Sequence, residues 1–262
     1  MVNIYRSLLF VPATEKMLSK IELCKADAII VDLEDAILAE DKDNALCRLE
    51  NFLKAYSYKT DLFVRINPIR AKKETDVLNK YSIKGYMLPK TEMVSDVDLL
   101  AKMSGDKQII ALIESAMGVI NAENIIGNDN VSMAAFGAED YTTQCGIENK
   151  MEFLVYPKSK LVAVSKAYKK PVIDTISLEI HDVSSYTKEA EASKSFGFDG
   201  KLAIHPMQVD IINSVFCDDI EYYKYIVAEY EKSKTAVINL NGKVYEKPHI
   251  DMMKKRIAKH SL

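Results

Sequence analysis

Six short apolar stretches of this chain end in residues that could do chemistry: Asp32-Leu33-Glu34-Asp35, Arg65-Ile66-Asn67-Pro68, Pro89-Lys90, Glu114-Ser115, Gly137-Ala138-Glu139-Asp140 and His205-Pro206. One charged residue at a strand end is usually solvated or caps the next helix. Six at equivalent points argue for convergence on one site. Brought together, Glu34, Glu114 and either Glu139 or Asp140 would set like charges side by side out of water, which is costly unless a cation joins them. Carboxylate oxygens with few other protein donors suit Mg²⁺, with water and substrate completing an octahedron, and Mn²⁺ is a substitute. Arg65 has a planar fork that matches a substrate carboxylate. The plainer reading is that Arg65 and Lys90 only neutralise the acids.

Other chemistries fare less well. Lys90 could form a Schiff base with a keto acid only as a neutral amine, and nearby carboxylates push its pKa the other way. Ser115, Cys145 and His205 supply a nucleophile and a base, but no Gly-x-Ser-x-Gly elbow is present and their runs are not neighbours. His205 reads as a hydrogen-bonding strand-end residue rather than a metal ligand, since no second histidine is near it in sequence. Cys24, Cys47, Cys145 and Cys217 are scattered without Cys-x-x-Cys or paired-histidine spacing, against both a disulfide framework and a structural zinc.

The elements that must position these residues are buried strands, read at Arg6–Pro12, Ala28–Glu34, Leu62–Asn67, Gly85–Lys90, Gln108–Glu114, Val131–Gly137, Pro171–Ser177 and Lys201–His205. They recur about every 28 residues, the length of one strand-helix unit in a parallel sheet. Eight such units predict an α/β fold, a closed (β/α)₈ TIM barrel whose strand C-termini form the active face. The competing open sheet usually has a Gly-rich first turn, and here that turn is Ala13-Thr14-Glu15. Helices are expected between strands, among them Glu15–Lys25, with Met17, Leu18, Ile21 and Leu23 among Lys and Glu, and Val94–Met103, with Val97, Leu99 and Leu100 as its apolar members. The barrel domain is assigned to residues 1–216. Residues 217–262 read as a C-terminal extension, a lid or subunit-exchange tail: a helix over about Ile220–Lys234, a hairpin over Ala236–Tyr245 turning at Asn241-Gly242, and a last helix after Pro248.

Composition narrows the partners. With 35 basic and 38 acidic residues the net charge is −3, a poor field for holding a nucleic-acid backbone, so no nucleic-acid partner is expected. No apolar run approaches the ~20 residues of a membrane span. The first dozen residues lack the pattern of a secretory signal, so the expectation is a cytoplasmic protein.

Taken in order, the motifs resemble a known family. Arg6-Ser7-Leu8-Leu9-Phe10-Val11-Pro12, Asp32-Leu33-Glu34-Asp35-Ala36, Val64-Arg65-Ile66-Asn67, Leu88-Pro89-Lys90, Leu112-Ile113-Glu114-Ser115, Phe136-Gly137-Ala138-Glu139-Asp140, Gly197-Phe198-Asp199-Gly200-Lys201 and Ile204-His205-Pro206-Met207-Gln208 are similar, over nearly the whole chain, to the citrate lyase β-subunit-like proteins of the HpcH/HpaI aldolase family. The resemblance implies that Glu114 and Asp140 ligate Mg²⁺, with Glu139 a non-ligand neighbour and Glu34 behind them. Arg65 would clamp the carboxylate of an oxaloacetate-like or glyoxylate-like group, with Glu114 also on the substrate. The implied reaction is reversible carbon–carbon cleavage of citryl-, malyl- or citramalyl-like thioesters carried by CoA or an acyl carrier; some members hydrolyse the thioester. It also implies a homo-oligomer, often a trimer, exchanging tails between subunits. The family's tail commonly reads Gly-x-Met-Val-Asp-x-Pro, its aspartate reaching a neighbour's site, whereas this chain has Gly242-Lys243-Val244-Tyr245-Glu246-Lys247-Pro248. Glu246 keeps the carboxylate but adds a methylene, and a reach error near ~1 Å can cost about 10²-fold in rate. A free 2-keto-acid aldolase, and an accessory protein that binds keto acid or CoA with weakened catalysis, therefore stay open beside the thioester lyase.

Overall fold

The computed structural model describes residues 4–56 and 59–260, and the chain divides into two compact units, Met1–Phe216 and Cys217–Leu262. In the first unit, eight strands close into a parallel barrel: β1 (Ser7–Pro12), β2 (Ala28–Asp32), β3 (Asp61–Arg65), β4 (Gly85–Leu88), β5 (Gln108–Ile113), β6 (Val131–Phe136), β7 (Val172–Asp174) and β8 (Gly200–Ala203). Each pairs with the next in sequence, and β8 returns to β1 through Ser7 opposite Lys201. All eight expected runs form strands. Most stop a residue or two short of the predicted ends, because the chemistry-bearing residues lie in the loops just beyond the ladders.

Both faces of the barrel wall are buried, so the strands read as continuous apolar runs rather than alternating ones. Ala28, Ile30, Phe63, Met87, Ile110 and Leu202 fill the interior. Ile29, Val31, Leu62, Val64 and Tyr86 belong to the outer layer under the helices. The two-residue period of a strand carries this alternation forward. Asp32 follows Ala28 and Ile30, and Arg65 follows Phe63, on the interior side at the last layer before the mouth. Register places Asp32 opposite Arg65, and Arg65 opposite Met87.

One helical expectation changes. The segment after β1 is a short helix, Glu15–Leu18, followed by a 3₁₀ turn, Ile21–Leu23, and not one helix to Lys25. Leu18 and Ile21 are its two buried anchors, and a tightened 3₁₀ turn satisfies that spacing of three. Leu23 is left 80% exposed. The Val94–Ser104 helix forms as expected, but only Val97 and Leu100 of its named apolar residues face inward, and Leu99 is exposed.

The second unit holds a helix, Ile220–Ser233, an antiparallel hairpin of β9 (Val237–Leu240) and β10 (Lys243–Glu246), and a final helix, Lys247–His260. Asn241 and Gly242 take positive φ of 52° and 79°, the left-handed pair that a tight hairpin turn demands. Ile226, Ile238, Tyr245, Ile250 and Met253 form its core. The four cysteines are free, and among the described residues no helix is long and apolar enough to cross a membrane.

Candidate active site at the mouth of the barrel

At the C-terminal mouth of the first unit, the polar ends of β2, β3, β4 and β5 meet. Arg65 is the hub. Its Nε and Nη2 donate to Asp32 Oδ1 and Oδ2 at 2.8 and 2.6 Å, its Nη1 is 3.3 Å from Glu34 Oε2, and its guanidinium lies 4.9 Å from the centre of the Phe10 ring. One bidentate edge of the fork is thus taken by Asp32, while Nη1 makes only the longer ion pairs to Glu34 and, at 3.9 Å, to Asp35. Burial works against the guanidinium, but the Asp32 hydrogen bonds and the charges of Asp32, Glu34 and Glu114 outweigh it and hold the proton more tightly than usual.

Asp32 also closes its own loop. Its Oδ1 accepts the Glu34 backbone N–H at 2.9 Å and its Oδ2 that of Ala36 at 3.1 Å, an Asx-type turn that aims Glu34 at the mouth. From the loop after β4, Lys90 donates its Nζ to Glu34 Oε1 at 2.8 Å and its backbone N–H to Glu114 Oε1 at 2.7 Å. Lys90 has a φ of 50°, a left-handed conformation uncommon for a long side chain, and that geometry brings both donors to bear. Burial lowers its ammonium pKa, yet the Glu34 hydrogen bond and the charges of Glu34, Asp35 and Glu114 leave it raised. A protonated amine is no Schiff-base nucleophile.

Glu34 and Glu114 are each only 4% exposed. Burial raises the carboxyl of Glu34 above its usual range, against the Lys90 hydrogen bond and the Arg65 charge. Its Oε2 is buried with no hydrogen-bond partner. Glu114 is pushed up to about 8, first by burial and then by the charges of Asp140 and Glu34, with Lys90 N–H and Arg65 opposing. Gly137 gives Glu114 its room: a Cβ there would lie 2.6 Å from Glu114 Oε2. The Ala138–Cys145 helix starts immediately after and carries Glu139 and Asp140 in its first turn. Glu139 Oε1 accepts from Asn149 Nδ2 at 2.6 Å, whereas Asp140 is exposed. Among the described residues, no three His, Cys, Asp or Glu side chains gather as a ready metal cage. An ion held by two carboxylates and completed by water and substrate is the manner of Mg²⁺, and a Glu34 oxygen that has an ion pair to Arg65 but no hydrogen bond, with Glu114 buried beside it, fits a cation.

The remaining candidates make other local contacts. His205 caps the Pro206–Val215 helix, its Nδ1 accepting the Met207 N–H at 3.2 Å, and Ser115 caps the Ala116–Ile120 helix. Glu246 closes β10 in the second unit, exposed, its N–H donating to His249 Nδ1 at 3.2 Å. Asp32, Phe10 and Gly137 were not singled out for these roles from sequence. The signal for Asp32 was its place directly opposite Arg65 on the neighbouring strand.

A mouth of this make-up agrees with what the sequence matches. The HpcH/HpaI aldolase/citrate lyase family matches residues 6–206. The chain belongs to that family. It is 30% identical to the citrate lyase subunit beta of Haemophilus influenzae, over 97% of this chain and 96% of that protein. It is 26% identical to a (3S)-malyl-CoA thioesterase of Cereibacter sphaeroides, over 97% and 94% of the two chains. Among solved structures, a citrate lyase beta subunit of Mycobacterium tuberculosis complexed with oxaloacetate and magnesium aligns at a TM-score of 0.71 and 25% identity, covering 81% of this chain and 96% of that one.

Proposed function

We propose that this member of the HpcH/HpaI aldolase/citrate lyase family is a Mg²⁺-dependent lyase of the citrate lyase β-subunit type, reversibly cleaving a 3-hydroxyacyl thioester to a keto acid and an acyl thioester. The observation that carries the reading is the mouth itself: buried Glu34 and Glu114 beside Asp140, with an arginine hub already anchored on one edge. In this reading Glu114 and Asp140 hold the ion, and Mn²⁺ is a substitute. When bound, the ion supplies Lewis-acid stabilisation of charge developing on the keto-acid oxygen. Arg65 Nη1, which contacts Glu34 Oε2 at 3.3 Å, also binds the carboxylate of an oxaloacetate-like fragment and orients it, with Glu114 on the same fragment. Glu34, paired to both Arg65 and Lys90, holds the guanidinium and ammonium in place. The cleavage requires a base to take the 3-hydroxyl proton as the carbon–carbon bond breaks. The bonding pair leaves with the acyl thioester as an enolate, which a proton then quenches. We assign the base to Glu246, delivered as the family resemblance implies by the tail of a neighbouring subunit in a homotrimer.

The M. tuberculosis structure with oxaloacetate and magnesium supports the keto acid and the ion, and the C. sphaeroides thioesterase supports a CoA ester with hydrolysis as a second outcome. The test is turnover of citryl-, malyl- and citramalyl-CoA with Mg²⁺ and with EDTA. Release of acetyl-CoA and a keto acid that stops in EDTA and returns with Mg²⁺ is expected. Free CoA as the product selects hydrolysis, cleavage only of free acids selects the aldolase reading, and no Mg²⁺-dependent turnover of any substrate contradicts the proposal.

A further inference from the structure

The run Gly197-Phe198-Asp199-Gly200-Lys201 has no part in the chemistry of the mouth, yet it delivers a lysine that is 0% exposed. Lys201 lies on the outer face of β8, in a closed set of charges beneath the helices. Its Nζ donates to Glu189 Oε1 and to the Thr175 carbonyl oxygen, both at 2.8 Å. Beside it Asp174, also 0% exposed, accepts from Lys158 Nζ at 2.9 Å and Ser193 Oγ at 2.5 Å. Buried charges are tolerated where each is paired and hydrogen-bonded, and such a set holds its members in one arrangement. Thr175 is the member that faces the mouth.

Thr175 works in two directions. Its carbonyl takes the Lys201 ammonium, while its Oγ1 accepts the Ala138 backbone N–H at 2.9 Å. Ala138 opens the helix that carries Asp140, and its N–H is one of the donors a helix start leaves without an internal partner. Ordinarily the preceding residue supplies a Ser, Thr, Asp or Asn oxygen to the second or third N–H of that end, which anchors the first turn. Here the preceding residue is Gly137, which makes no side-chain cap, and any side chain there would collide with Glu114. Making room for Glu114 removes the local cap from the helix bearing Asp140. A threonine from the next strand end anchors the helix start instead, at the N–H of Ala138 itself.

We propose that Thr175, held from behind by Lys201, is a positioning residue that fixes the first turn of the Ala138–Cys145 helix and thereby sets the metal affinity of the Glu114 and Asp140 pair. The inference rests on the reading above that those two carboxylates hold the ion. Thr175→Val keeps shape and removes the acceptor, and Thr175→Ser restores it.

The test uses the full chain with two readouts other than turnover: Mg²⁺ affinity by calorimetry, and exchange of the Ala138 amide by NMR in metal-free protein. Thr175→Val should weaken Mg²⁺ binding by about tenfold and speed Ala138 exchange, and Thr175→Ser should return both to within about twofold of the parent. Asp140→Ala is the control that separates the two readings. Loss of Mg²⁺ binding in Asp140→Ala with parent affinity in Thr175→Val overturns the positioning role alone. Parent affinity in Asp140→Ala overturns the metal reading on which it rests. Should Thr175→Val not fold, the unaltered protein still decides: coupling is reciprocal, so saturating Mg²⁺ must slow Ala138 exchange, and an amide whose exchange is blind to Mg²⁺ overturns the proposal.

Discussion

Two charge clusters in the barrel unit, each built on buried members, follow opposite rules. On the outer face of β7 and β8, Asp174 and Glu189 meet Lys158 and Lys201, acid for base. At the mouth, Asp32, Glu34, Asp35, Glu114 and Asp140 gather around Arg65 and Lys90, and acids outnumber bases. Burial acts to raise the carboxyl pKa in both places. At Asp174 the charges of Lys201 and Lys158 overturn that effect and hold the carboxyl low, whereas Glu114 ends at about 8. The first cluster is electrically complete and its natural role is to hold helices and strands together. The second lacks positive charge, and that deficit is the physical argument for a cation and an enzyme.

The contrast can be strained at several points, beginning with the balanced cluster. Lys158→Met leaves Asp174 without its hydrogen-bonded ammonium, and breaking a buried pair from one side costs about 3–5 kcal/mol. Denaturant unfolding should show a loss of that size. Stability within ~1 kcal/mol of the parent would mean the pair is no more enclosed than a surface bridge.

At the mouth, Asp32→Asn withdraws the charge that anchors Arg65 without emptying its volume. A misplaced guanidinium should lower kcat/KM by about 10²-fold, with most of the loss in KM for the carboxylate substrate and little change in Tm. A drop confined to Tm would demote Asp32 to a structural role.

Glu74 is an intermediate case: buried, accepting the Asn67 N–H at 2.9 Å, with Arg70 Nε at 3.7 Å, and pushed up to about 7 chiefly by burial. Because its folded pKa stands above the ordinary 4.5, its stabilising contribution is complete below about pH 4.5 and is lost as pH rises through 7. Glu74→Gln should therefore gain about 1–3 kcal/mol relative to the parent between pH 5 and pH 8, read from urea curves at the two pH values. A difference that stays flat with pH would show that Arg70 compensates Glu74 fully.

Much of this was readable in the sequence because a parallel barrel buries both faces of each strand, so the eight runs announce themselves and their polar ends mark the mouth. Glu34, Arg65, Lys90 and Glu114 were found this way. The hold of Asp32 on Arg65 was not, because it depends on the register between β2 and β3, which strand ends uncertain by a residue or two do not supply. The preference for Asp140 over Glu139 came from the family resemblance, and the hydrogen bond from Asn149, ten residues on, to Glu139 was not legible beside it. Lys201 reads in sequence as a polar strand start. Its complete burial follows from Glu189 and Thr175, which arrive from other elements.

The most direct measurement is a crystal structure of the protein soaked with Mg²⁺ and oxaloacetate. The account predicts one ion ligated by Glu114 and Asp140, with the keto acid chelating it and its carboxylate on the Nη1 side of Arg65. An ion bound away from that pair, or a keto acid that leaves Arg65 untouched, would contradict it.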